Sequence, residues 1–162
     1  MVFGQVIVLN GASSSGKSTL AKALQSELSD VYLYVSLDMF WDMTPAAIPA
    51  SSENFPNLKL AMARSVKSLA ETGHNVIVDT VYNGIKSHQD MAAALEGIGL
   101  FTVKVSCHAD ILLRREKSRG DRRLGIALAQ LETVHVGIGY DIEIDTSHQS
   151  PIECARQIIS SL

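Results

Sequence analysis

Val6-Ile-Val-Leu-Asn-Gly11-Ala-Ser-Ser-Ser-Gly16-Lys17-Ser18-Thr19 decides how this chain is read. Its first four residues are apolar and mostly β-branched, as expected of a strand covered on both faces. Gly11, Ala12, Ser13, Ser14, Ser15, Gly16, Lys17 and Ser18 then form an unbroken G-x-x-x-x-G-K-[ST] pattern, and Thr19-Leu-Ala-Lys-Ala-Leu opens a helix. The glycines let the backbone wrap closely round a phosphate, successive N–H groups point inward, and the helix N-terminus adds its positive end. Lys17 is placed to reach the β- and γ-phosphates, and the Ser18 hydroxyl is a magnesium ligand. Four such fixed positions match by chance in fewer than about one in a hundred chains of this size. With a strand before and a helix after, the pattern implies a nucleoside-triphosphate site.

Strand-length apolar runs recur outward from this loop. They are Val31-Tyr-Leu-Tyr-Val-Ser-Leu37, Asn75-Val-Ile-Val78, Phe101-Thr-Val-Lys-Val105 and Ile142-Glu-Ile144. Between them lie segments of helical spacing: Leu58, Met62, Val66 and Leu69; Leu124, Leu128 and Leu131; and Ile152, Ala155, Ile158, Ile159 and Leu162. The last helix has a marked start, with Ser150 as N-cap, Pro151 at the first helical position and Glu153 completing a capping box. Alternating strands and helices predict an α/β domain with a three-layer P-loop NTPase fold, a five-stranded parallel sheet having helices on both faces. No repeat or linker divides the 162 residues, so one domain over 1–162 is expected. The least regular stretch, Thr44 to Asn57, carries Pro45, Pro49 and Pro56 and is read as a long loop.

Two carboxylates follow strands at their carboxyl ends, where ligands gather in parallel sheets. Asp38 follows the second strand and is a candidate base for an attacking hydroxyl; its alternative role is to cap the next element. Val76-Ile-Val-Asp79 is the Walker B pattern, in which the Asp holds magnesium, usually through water. From the residues alone the two could exchange roles. Phe40 and Trp41 follow Asp38, and Tyr82-Asn83 follow Asp79, which suggests an apolar pocket for an organic acceptor as readily as ordinary core packing. Leu113-Arg-Arg-Glu-Lys-Ser-Arg-Gly-Asp-Arg-Arg123 concentrates six basic residues in eleven. It reads as a lid over about 114–136, hinged at Gly120, with Arg115 toward the nucleotide and Arg119 and Arg122 offsetting charge on the migrating phosphoryl group.

The remaining composition excludes several classes. The net charge is −3, with 14 Lys and Arg against 17 Asp and Glu, which argues against a nucleic-acid partner held by phosphate neutralisation. Cys107 and Cys154 are far apart, so neither a disulfide framework nor a zinc cluster is expected. The N-terminus has no basic region before its short apolar run, and no stretch approaches the roughly 20 apolar residues of a membrane span. A cytoplasmic chain without a membrane partner is the expectation. The five histidines show no metal or triad spacing, and no N-K-x-D guanine-reading motif is present.

Leu9-Asn-Gly-Ala-Ser-Ser-Ser-Gly-Lys-Ser18, Ile77-Val-Asp79, Arg119-Gly-Asp-Arg122, Tyr140-Asp-Ile-Glu-Ile-Asp-Thr-Ser-His148 and Ile152-Glu-Cys-Ala155 together resemble the chloramphenicol phosphotransferases. These are small P-loop kinases related to shikimate and nucleoside-monophosphate kinases. The resemblance spans nearly the whole chain and is most specific from Val103 to Ile158. It implies transfer of phosphate from ATP, with Mg2+, to a hydroxyl of a small molecule, a chloramphenicol-like antibiotic first. It also implies Asp38 as general base, Gly11 to Thr19 as phosphate loop, Arg119 and Arg122 as lid arginines, and Thr146-Ser147 as the loop against adenine. Two features depart from the family's best-known member: the short segment of forty residues between Asp38 and Asp79, and Thr80 where a second Asp stands. These keep open a metabolic kinase for a sugar acid, nucleotide or cofactor precursor. A non-catalytic, nucleotide-gated binding module is the further alternative.

Overall fold

The computed structural model describes residues 2–120 and 124–162. Five strands, β1 (Val6–Asn10), β2 (Tyr32–Ser36), β3 (Asn75–Thr80), β4 (Leu100–Ser106) and β5 (Ile142–Asp145), form one parallel sheet in the order β2-β3-β1-β4-β5. β1 therefore lies at the centre, pairing with β3 from Val6↔Val76 to Asn10↔Thr80 and with β4 from Val6↔Leu100 to Asn10↔Lys104. The chain winds to one side of β1 and then to the other. Such reversals leave a crevice at the carboxyl ends of the strands, and the phosphate loop opens there.

Period-two alternation in the strands builds two cores, one on each face. Val6, Val8, Val35, Val76 and Val78 point to one side and pack with Met62, Ala63 and Val66 of α3 (Leu58–Glu71) and Met91 of α4 (Ile85–Ala94). Ile7, Leu9, Ile77, Val103 and Ile144 point to the other. They pack with Leu20 and Leu24 of α1 (Lys17–Glu27) and with Ala155 and Ile158 of α7 (Pro151–Ile159). Each such aliphatic side chain, fully withdrawn from water, contributes about 1.5–3 kcal/mol. Burial on both faces explains why β1 and β3 read as continuous apolar runs.

Several boundaries differ from the sequence expectation. The second strand stops at Ser36, whose Oγ accepts from the Met39 amide at 3.2 Å and starts the short helix α2 (Leu37–Trp41). Asp38 thus sits in the first turn of a helix, and the cap is Ser36. Leu124 was expected to share a helical face with Leu128 and Leu131. Gly125, at φ 91°, instead opens α6 (Ile126–Leu131) after it, so Leu124 stays exposed and Ala127 takes the buried position. α4, which no apolar periodicity announced, fills the β3–β4 crossover. The basic run begins inside α5 (Ala109–Arg119), which Gly120 ends in a left-handed conformation. Among the described residues no helix is long and apolar enough to cross a membrane.

The capping box at the last helix is present. Ser150 Oγ accepts from the Glu153 amide at 3.3 Å, and Glu153 Oε2 accepts from the Ser150 amide at 2.8 Å.

Candidate active site

The loop between β1 and α1 is bent by two backbone demands. A Cβ on Gly11 would stand 2.4 Å from the Val105 carbonyl oxygen of β4, so only glycine lets the loop leave the sheet there. Gly16 adopts φ 93°, and Ser14 joins it in the left-handed region at φ 62°. The turn tucks the loop inward, where the hydroxyls of Ser13, Ser14 and Ser15 are buried with no hydrogen-bond partner among the described residues. Buried polar groups are ordinarily paired, so three consecutive ones mark a concavity built for a polar ligand. Thr146, the residue after β5, braces it: its Oγ1 donates to the Ser15 carbonyl at 2.6 Å.

Behind the loop the ends of β3 and β2 supply the charged and hydroxyl groups. Asp79 stands opposite Leu9 and Ser36 in the parallel register, and it is buried. Its Oδ2 accepts from Ser18 Oγ at 2.7 Å and from the Tyr34 hydroxyl at 3.0 Å. Burial and the Asp79 charge together push the Tyr34 phenol above its ordinary value, so it remains a donor. Lys17 is also buried. Its Nζ donates to the Ala12 carbonyl at 2.9 Å and lies 3.7 Å from Asp79 Oδ1.

A cavity of about 1150 Å³ opens over this cluster. It is lined by Ser13, Ser14, Gly16, Lys17, Ser18 and Thr19 of the phosphate loop and the start of α1, by Asp38, Trp41, Asp79 and Asn83, and by Arg114, Arg115, Arg119 and Thr146. The structure thus brings most of the residues singled out in the sequence to one place. Gly11, Ala12 and Ser15 shape the loop from behind the cavity wall. Arg115 is tied down, donating from Nη2 to the Thr146 carbonyl at 2.8 Å and from Nη1 to Thr146 Oγ1 at 3.2 Å.

Four residues sit elsewhere or beyond description. Ser147, paired with Thr146 in the sequence reading, does not line the cavity; its hydroxyl accepts from the His108 amide at 2.9 Å. Phe40 packs against the core cluster of α3 instead of facing either cavity. Tyr82 is buried, and its amide donates to Asn10 Oδ1 at 2.9 Å; its side chain borders a second, adjoining cavity. Arg122 lies outside the described residues.

Other groups at the site went unread in the sequence. Gln130 of α6 reaches the phosphate loop, its Oε1 accepting from the Ser13 amide at 2.6 Å. Glu116 of α5 is fully buried and accepts from the amides of Gly125 at 2.7 Å and Ala127 at 3.0 Å, stapling α6 to α5. Those amides, Ala127 first, hold its carboxyl below the usual range. Asn10 joins three segments: Nδ2 donates to the Val134 carbonyl at 2.8 Å and to the Tyr140 hydroxyl at 2.6 Å, while Oδ1 receives the Tyr82 amide. Its position as a polar residue closing an apolar strand was the available signal. Lys59 lines the cavity too, from the first turn of α3.

Among the described residues no group of three or more His, Cys, Asp or Glu is placed to hold a metal. Ser18 Oγ and Asp79 Oδ2, 2.7 Å apart, are hard oxygen donors of the kind magnesium takes in small number, with water and phosphate oxygens for the rest. The cluster fits that ion.

Comparison with known proteins agrees with this architecture. The structure of a Mycobacterium tuberculosis APS kinase in complex with AMPPNP and APS superposes with TM-score 0.78, at 18% identity, over 99% of this chain and 98% of that one. A gluconokinase from Sinorhizobium meliloti does so with TM-score 0.69, at 20% identity, over 99% and 91%. At such identities the likeness shows a shared P-loop kinase fold. Two Mycobacterium tuberculosis proteins, provisionally named O-phosphotransferases, are 29% identical over 98% of this chain and 82% of their own length. The family model for chloramphenicol phosphotransferase-like proteins matches residues 4–162. The chain is a kinase-type enzyme, a phosphotransferase acting on a small molecule, and it belongs to the chloramphenicol phosphotransferase-like family.

Proposed function

We propose that the enzyme binds ATP with Mg2+ on the phosphate loop and transfers the γ-phosphoryl group to a hydroxyl of a small acceptor, with Asp38 taking the proton. One observation carries the reading: Lys17, Ser18, Asp79 and Asp38 all face a single cavity of about 1150 Å³, large enough for a nucleotide beside an alcohol. The amides of the loop and Lys17 hold the phosphates. Ser18 and Asp79 would hold magnesium, which when bound neutralises charge on the β- and γ-oxygens. Asp79 is buried at the end of β3 beside the Ser18 hydroxyl, a magnesium-type donor, which favours it as metal partner. Asp38, on α2 in the same cavity, is then the base.

In the transfer the acceptor oxygen bonds to the γ-phosphorus as the bridging oxygen bond to it breaks, ADP departs, and the hydroxyl proton passes to Asp38. Arg119, which lines the cavity, and Arg122 offset charge on the migrating group. Chloramphenicol-like antibiotics are the acceptor class the family suggests. The test is an ATP-dependent mass gain of one phosphate across a panel of alcohols that includes chloramphenicol. Transfer to chloramphenicol assigns the antibiotic; transfer only to other alcohols keeps the reaction and moves the acceptor. Tight ATP binding with transfer to no alcohol would favour a nucleotide-gated binding module.

A further inference from the structure

A second cavity, of about 870 Å³, adjoins the first and shares Trp41, Ser52, Lys59, Thr80 and Asn83 with it. Its charged lining is one-sided. Lys59, Arg64 and Lys67 of α3 and Lys86 of α4 contribute four cations, and Asp90 is the single carboxylate. Asp90 is already paired with Lys86. Lys67 donates to the Glu96 carbonyl at 2.9 Å, and Arg64 forms no ion pair among the described residues. In a chain of net charge −3, this concentration of positive charge is local.

Lys59 stands at the joint of the two cavities and is half-buried. Its ammonium donates to the Val81 carbonyl at 2.7 Å and faces Asn83 Oδ1 at 3.5 Å, both neutral oxygens; no described carboxylate pairs with it. Burial pushes its pKa below the ordinary lysine value. An ammonium withdrawn from water without a counter-charge is costly, and a bound anion relieves that cost. Trp41 and Phe55, edge to face with centroids 6.5 Å apart, supply an apolar wall beside it.

We infer that the acceptor is an alcohol bearing an oxyanion group, a carboxylate, sulfate or phosphate, which Lys59 binds in the second cavity while the hydroxyl faces Asp38. This rests on the hydroxyl-kinase reading and replaces its first acceptor class with an acidic one, since chloramphenicol is neutral. Lys59 is then a specificity residue, choosing acidic alcohols over neutral ones.

The test reads binding without turnover. Trp41 is the only tryptophan and lines both cavities, so its fluorescence reports occupancy of the joint. The protein is saturated with AMPPNP and Mg2+, closing the phosphate loop to other anions, and titrated with sulfate, gluconate and the neutral polyol sorbitol at constant ionic strength. A saturable response to sulfate or gluconate and none to sorbitol is expected. Lys59→Met should weaken it at least tenfold, Lys59→Arg should recover part of it, and Lys22→Met on exposed α1 surface should leave it unchanged. Arg64→Gln, on the exposed wall, gives a second weakened variant should Lys59→Met fail to bind AMPPNP. No saturable response to either anion, an equal response to sorbitol, or an undiminished response in both Lys59→Met and Arg64→Gln overturns the inference. Failure to phosphorylate any alcohol would sink the kinase reading and leave this anion site standing; transfer to neutral alcohols without anion binding would do the reverse.

Discussion

Ser18 and Asp79, 61 positions apart, are joined by a 2.7 Å hydrogen bond that locks the start of α1 to the end of β3. Removing the carboxylate charge separates the two acidic roles. Asp79→Asn should raise the Mg2+ concentration needed for half-maximal transfer, while Asp38→Asn should leave that requirement alone. The measurement is initial rate against Mg2+ at saturating ATP. An equal shift in both variants would show that the roles are not divided this way.

For Asp38→Asn the expected loss is in turnover. A positioned general base contributes about 10²–10⁴-fold. AMPPNP affinity, measured by calorimetry, should change little, because in the proposed arrangement Asp38 meets the acceptor and the phosphate loop holds the nucleotide. Undiminished transfer would remove Asp38 as the base.

Thr146→Val should weaken nucleotide binding without touching the nucleotide's reactive end. The substitution deletes the Thr146 hydroxyl that holds the Ser15 carbonyl at 2.6 Å and one Arg115 contact at 3.2 Å. A net hydrogen bond of about 0.5–1.5 kcal/mol corresponds to roughly two- to twelvefold in AMPPNP affinity. Unchanged affinity would mean that the loop holds its shape without this brace.

Acid should loosen the α5–α6 joint through Glu116. Its folded-state pKa is depressed below the ordinary 4.5 by the Ala127 and Gly125 amides, so its contribution is complete above that value. As pH falls below 4.5 toward the folded value, that contribution is lost. Glu153, depressed by its bonds to Ser150, likewise loses its contribution as pH falls below 4.5, and Asp145, depressed against burial by the Ser147 hydroxyl and amide, as it falls below 3.8. Glu116→Gln should lower the melting temperature at pH 7 and flatten its fall in acid. An unchanged acid slope would assign that slope to the other two carboxylates.

Ser150→Ala tests the last capping box. Loss of an N-cap costs about 1 kcal/mol, which in a domain of this size lowers Tm by about 2–4 °C. A Gly substitution at the same position should cost only a few tenths of a kcal/mol.

What could be read in advance divides along a physical line. Gly11 to Ser18, Asp79 and Ser150 act through local backbone geometry, and their chemistry is written in fixed spacings. Val6 to Leu9 and Val76 to Val78 announce buried strands because both faces are covered. Lys59, Glu116 and Gln130 carry no such mark. A lysine on an amphipathic helix, a glutamate in a run of arginines and a glutamine in a short helix are ordinary solvated residues until the fold withdraws them from water. Asp38 was legible as a residue near the phosphate loop, and the structure puts it in the same cavity, but it was misread as the end of a strand, because Ser36 caps a short helix that five residues are too few to reveal by periodicity. α4 escaped for a related reason: its Ala92-Ala93-Ala94 run has no apolar stripe, and only Met91 of the helix is buried.

The central place of β1 bears on how the chain acquires its fold. Within this sheet β1 finds its first partner only at residues 75–80 and its second at residues 100–106. Such distant pairings give high contact order and slow closure. The phosphate cradle hangs from the end of that strand, so its backing is complete only when both distant pairings are made. Until residue 106 has been made, the apolar Val6–Asn10 strand keeps an unpaired edge, the kind of edge that invites misassociation.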